Sequence, residues 1–195
     1  MRTCSKLALA GIGTTLLMAL AVGPASARNL SVSNQNLRAT FNNLEFTVEG
    51  VSTTTCRVTL EGSLHTRTIV KSAGTLVGYV TRIITGQCSN GVTILTETLP
   101  WHVRYIGFSG RLPDITLISV RSRAAFRVLS CLMSEDVEAR ISRDPVTGHV
   151  TLIQIPLQNV TLTGLFCPES ANFRSLSNGS FYQLGSTTRI SLTLI

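Results

Sequence analysis

The sequence predicts an all-β protein, an antiparallel β-sandwich of about ten strands, with a closed β-barrel as the alternative. Three observations carry this. Apolar and polar residues alternate with a period of two, turn residues punctuate those runs at short intervals, and no run beyond the N-terminus is long and apolar enough to cross a bilayer as a helix. The alternation is plainest around the single Trp: Trp101, Val103 and Tyr105 alternate with His102 and Arg104, and Val120, Ala124, Phe126 and Val128 alternate with Arg121, Arg123 and Arg127. An outer-membrane barrel would carry aromatic girdles and usually no cysteine; here the aromatics are scattered singly, which favours the sandwich.

Taken in order, the chain opens on an address. Arg2 and Lys6 precede an apolar run from Leu7 to Val22, and Pro24-Ala25-Ser26-Ala27 ends in a small-residue cleavage pattern. Residues 1–27 therefore read as a secretory signal peptide and 28–195 as one secreted domain. From Arg28 to Thr40 the composition is polar and Asn-rich, an arm or irregular first strand. Leu44, Phe46 and Val48 alternate with Glu45, Thr47 and Glu49 up to Gly50, a half-buried strand ending in a turn. Cys56, Val58 and Leu60 continue in that style against Arg57, Thr59 and Glu61.

Thr68 to Thr85 carries two patterns. Ile69, Ala73, Leu76, Val77 and Val80 fit one helical face, whereas Gly74, Gly78 and the β-branched residues favour strand. The expectation is a short helix near 68–77 leading into a strand. Asn90-Gly91 supplies a turn, Leu99-Pro100 bends the chain, and Gly110 to Asp114 turns it back between two strands. Asp144-Pro145-Val146-Thr147-Gly148 is a further hairpin signal. Val150 to Thr163 reads as one strand that Pro156 marks as an edge or bulged, because Pro has no ladder donor. The last strand alternates Ile190, Leu192 and Leu194 with Ser191 and Thr193.

Cys4 falls in the leader; Cys56, Cys88, Cys131 and Cys167 remain. An even number in an exported chain favours two disulfides, and pairing Cys56 with Cys88 and Cys131 with Cys167 closes two loops of moderate length. No C-x-x-C occurs and no His stands at ligand spacing from a Cys, which argues against zinc. Seventeen Lys and Arg against ten Asp and Glu give a net charge of +7, and the chain stays basic without Arg2 and Lys6. Such a protein is drawn to anionic envelope polymers or lipid headgroups.

The stretch TLPWHVRYIGFSGRLPDIT and the terminal GSTTRISLTLI resemble secreted β-proteins of GC-rich bacteria for which no activity is known. The resemblance implies bacterial export and brings no site residue with it.

Catalytic patterns are absent. Gly107-Phe108-Ser109-Gly110 lacks the spacing of a nucleophile elbow, and His65, His102 and His149 stand apart in sequence. Glu135, Asp136, Glu138 and Asp144 near a turn lack the calcium-loop pattern. No cofactor and no specific nucleic-acid partner is implied. If Trp101–Phe108 and Ile115–Val128 form a hairpin with Phe108 opposite Ile115, His102 falls opposite Arg121 and Arg104 opposite Ser119. His102, Arg104, Arg121, Arg123 and Arg127 then share an outer face that fits phosphate or carboxylate oxygens. The reading is a non-catalytic secreted binding protein for an anionic envelope polymer or lipid headgroup. A self-assembling extracellular protein and a hydrolase without a recognisable motif are the alternatives.

Overall fold

The computed structural model describes residues 29–195 apart from 90, 112, 113 and 129. The leader expected over residues 1–27 lies outside them, as do Asn90 and part of the turn expected at Gly110 to Asp114. The strands are β1 Asn29–Val32, β2 Asn36–Val48, β3 Ser52–Leu64, β4 Thr68–Val70, β5 Leu76–Cys88, β6 Val92–Ile94 and β7 Trp101–Arg111. Then come β8 Asp114–Val128, β9 Cys131–Arg143, β10 Val150–Gln154, β11 Gln158–Thr161, β12 Ser170–Ser175, β13 Ser180–Gln183 and β14 Leu192–Leu194. A single 3-10 turn, Thr96–Thr98, is the only helical element among the described residues.

The short helix expected near 68–77 is therefore replaced by strand and turn. Thr68–Val70 pairs with β1, Gly74 turns the chain at φ +84°, and β5 begins at Leu76. The helical spacing of Ile69, Ala73 and Val77 arises from two strands separated by that turn; Ile69 and Val77 are buried, while Ala73 is exposed. Three β-branched residues in a row at 68–70 favour strand over helix.

One sheet runs β10-β9-β8-β7-β5-β3-β2-β12-β11, with β13 also on β2 and β6 on β8. All its described pairings are antiparallel. This sheet folds over on itself. Strands β2 and β8 are separated in it by β3, β5 and β7, yet the rings of Phe46 and Phe126 meet edge to face at 4.7 Å. Phe173 stacks on Phe46 at 4.4 Å, so two halves of one sheet enclose a common core, sandwich-like and half-barrel-like at once.

The curl has local causes. Register shifts interrupt β2–β3 between Phe41 and Leu44, β3–β5 between Glu61 and Gly62, and β5–β7 between Leu76 and Gly78. Each irregularity of this kind bends its strand and raises the right-handed twist. Where β3 and β5 pair beyond the shift between Glu61 and Gly62, a Cβ on Gly62 would strike the carbonyl of Tyr79, and one on Gly78 the carbonyl of Ser63. Only glycine allows so close an approach.

The two ends of the sheet meet along a seam. Leu132 and Thr163 exchange both backbone hydrogen bonds at 2.8 Å, and Ile153 and Gly179 exchange theirs at 3.2 and 2.7 Å. Between them the Gln158 side chain imitates a strand, accepting from the Glu138 N–H and donating to its carbonyl, both at 2.8 Å. Val150 to Thr163 is consequently two strands, not one: β10 lies at one end of the sheet, β11 at the other, and the chain crosses the seam at Ile155-Pro156-Leu157. Pro156 sits where no ladder partner is required.

A second sheet, β14-β1-β4, adds Leu30, Val32, Ile69 and Leu192 to the core. Both disulfides have the expected partners. Cys56–Cys88 joins facing positions of β3 and β5, and Cys131–Cys167 ties the start of β9 to the loop after β11. With sequence separations of 32 and 36 residues, each stabilises by about 3 to 4 kcal/mol on the chain-entropy account. Disulfides of this kind form and persist in an oxidising compartment.

Candidate functional site

Strands β7 and β8 orient their side chains as the alternation predicts. Trp101, Tyr105, Ala124, Phe126 and Val128 are buried, Val103 and Val120 are half-buried, and His102, Arg104, Arg121, Arg123 and Arg127 are exposed. The register differs from expectation. Arg104 faces Arg121 rather than Ser119, and Phe108 faces Ile118 rather than Ile115. The ladder continues as far as Arg111 and Asp114, with bulges next to Gly107 and Gly110. At Arg104 the displacement is an even number of residues, so Arg104 and Arg121 still share a face, whereas beyond the bulge at Gly107 it is odd.

The outcome is a closer cluster than expected in one respect and a looser one in another. Arg104 and Arg121, two like charges, stand directly opposite each other on exposed backbone. Arg104 Nη1 donates to the Gly74 carbonyl at 3.1 Å and Arg123 Nη2 to Ser134 Oγ at 2.8 Å, both neutral acceptors. The ion pairs among the described residues are Arg82–Glu61, Arg140–Glu138 and Arg174–Glu45, and none involves the five predicted residues. Arg127 stands apart: it faces Thr93 of β6 and Leu132 of β9, and lies about 13 Å along β8 from Arg123.

Strand β9 limits the positive field. Glu138 is opposite Arg121 and Asp136 opposite Arg123, although the Glu138 carboxylate bonds Arg140 Nε at 2.9 Å. The carboxylates of this face stand on β9, where Arg140 is paired with Glu138, and the arginines outside ion pairs stand on β7 and β8. On its other side lies a feature that the sequence reading missed. The Tyr79 ring is flanked edge to face by His65 at 4.7 Å and by His102 at 4.8 Å. Tyr79 pairs with His102 across β5 and β7, a pairing between strands distant in sequence that alternation alone does not reveal.

The other candidates resolve individually. His149 Nδ1 and Ser191 Oγ are 2.7 Å apart on the surface, tying the β9–β10 turn to the segment before β14. Asp144 accepts from the N–H groups of Val146 and Thr147 at 2.8 and 2.9 Å, and those bonds hold its carboxyl below the usual carboxylate pKa. Gly107 to Gly110 lies inside β7 and makes no strand-to-helix elbow. Among the described residues, no group of three or more His, Cys, Asp and Glu is placed to hold a metal ion.

Comparison with known protein families, curated proteins and solved structures finds no match to this chain.

Proposed function

We propose that this is an exported, non-catalytic binding protein that holds a phosphate- or carboxylate-bearing partner of the bacterial cell envelope, an anionic polymer or lipid headgroup, on the outer face of β7 and β8. The observation that carries the reading is the direct opposition of Arg104 and Arg121, neither of which forms an ion pair among the described residues. Like charges facing each other across a ladder destabilise it. An oxyanion between them relieves that repulsion and accepts the planar donor fork of each guanidinium. Arg123 lies next along β8, and His102 with Tyr79 and His65 borders the same face. The two disulfides and the leader over residues 1–27 support export.

Retention of the purified protein on phosphatidylglycerol vesicles and on isolated cell wall tests this, the two supports separating headgroup from polymer. Replacing Arg104 and Arg121 together by Ser is expected to lower retention on the preferred support by roughly fivefold per arginine at low salt, from ~1 kcal/mol per charge near an anionic surface. Arg174→Ser, which removes a charge paired with Glu45, is the control and should change little. Equal loss from both changes would mean that net charge, and not this face, does the holding.

A further inference from the structure

The folding-over of the sheet leaves an apolar cavity of about 150 Å³ between its two halves. Leu30 of the small sheet, Phe41 of β2, Val58 of β3, Trp101 and Tyr105 of β7 and Phe126 of β8 are among its lining, each at most 3% exposed. Its surface is almost wholly hydrocarbon. Protein interiors pack with few voids larger than a water molecule, and atoms around a void lack dispersion partners on one side. An apolar cavity of ~150 Å³ lined by such residues stays dry and admits a benzene-sized guest.

Among the described residues of the lining, Tyr105 carries a buried polar atom that nothing satisfies. Tyr105 Oη is buried and has no hydrogen-bond partner among the described residues. The contrast with its neighbour on the same strand face is direct: Trp101 Nε1, also in the lining, donates to Thr98 Oγ1 at 2.7 Å. A buried hydroxyl without a partner bears its full desolvation cost, which a guest carrying an acceptor would offset. Burial pushes the Tyr105 pKa above its ordinary value, so at neutral pH the group is an O–H donor. The charged residues at the border are engaged elsewhere, Glu61 with Arg82 at 3.2 Å and Arg123 with Ser134 at 2.8 Å.

We propose that this cavity is a second binding site, taking an uncharged, mostly apolar molecule about the size of a six-membered ring that carries one hydrogen-bond acceptor, such as a carbonyl oxygen, for Tyr105 Oη. It lies on the inner face of strands whose outer face carries the arginines, and it stands or falls independently of them. A charged guest is excluded, since among the described residues the lining offers no unengaged counter-charge to offset its desolvation.

Cyclohexanone and methylcyclohexane are suitable probes, titrated separately into the disulfide-bonded protein while the emission of Trp101, the chain's single Trp, is followed. The expected result is saturable change with both. Tyr105→Phe removes only the hydroxyl; it should weaken cyclohexanone by roughly three- to tenfold, the value of one neutral hydrogen bond, and leave methylcyclohexane as tight or tighter. The carbonyl stretch of bound cyclohexanone should lie below its frequency in dry alkane, a readout that needs no variant. No saturable change with either probe overturns the site. Unaltered cyclohexanone affinity in Tyr105→Phe, or an unshifted carbonyl band, overturns the role of the hydroxyl and with it the stated ligand chemistry.

Discussion

Thr54 shows how a strand pattern and a polar side chain conflict. It stands on the inward face of β3, in line with Cys56 and Val58, and opposite Phe46 of β2. It is fully buried, and its hydroxyl has no hydrogen-bond partner among the described residues. Thr54→Val keeps the shape and removes the unsatisfied oxygen, so unfolding in urea should show stability raised by about 1 to 2 kcal/mol. A lower midpoint would mean that the hydroxyl does have a partner. The period-two spacing of Cys56 and Val58 extends back to Thr54, but nothing in it distinguishes a hydroxyl that finds a partner from one that does not. Tyr105 poses the same question on β7, where the alternation predicts an inward ring and is silent on the phenol. Among the arginines, exposure was legible from period two alone, whereas which guanidinium meets which neighbour depends on register.

Register and crossing belong to pairs of strands, and there the sequence is less informative. The β7–β8 hairpin was recognisable, but bulges beside Gly107 and Gly110 shift its ladder, and a bulge leaves no sequence mark beyond a glycine. The helical spacing over residues 68–77 was misleading because a short strand and the start of the long β5, on either side of Gly74, reproduce it. The disulfides were legible, since pairing neighbours along the chain suits antiparallel strands close in sequence; Cys56 and Cys88 indeed face each other on adjacent strands. The glycines of β3 and β5 carry a sharper consequence. Gly78→Ala forces a Cβ against the Ser63 carbonyl and is expected to cost about 2 kcal/mol, read as a lower denaturant midpoint. Gly107→Ala meets nothing within 4 Å and should be tolerated. Equal effects of the two would contradict the close approach of β3 and β5 as a source of the curl.

For the molecule as a whole, all-β class and antiparallel pairing follow from alternation and turns, but closure does not. A strand-by-strand reading cannot show that β10 and β11, adjacent in sequence, lie at opposite ends of one sheet, because the decisive contacts run from Ile153 to Gly179 and from Leu132 to Thr163. That folding-over produces both candidate sites. It turns Arg104 and Arg121 outward on one continuous face and leaves the cavity beneath them. The outer site is tested most directly by thermal melting at low ionic strength, with and without inorganic polyphosphate, on the native sequence and on the Arg104→Ser, Arg121→Ser double variant. A partner bound only by the folded state raises the melting temperature. Polyphosphate should therefore raise it for the native protein by several degrees and leave the double variant almost unmoved, while the double variant alone melts no lower than the native protein because a like-charge pair has been removed. An equal rise in both proteins, or none in either, would contradict the assignment of this face as the anion-binding surface.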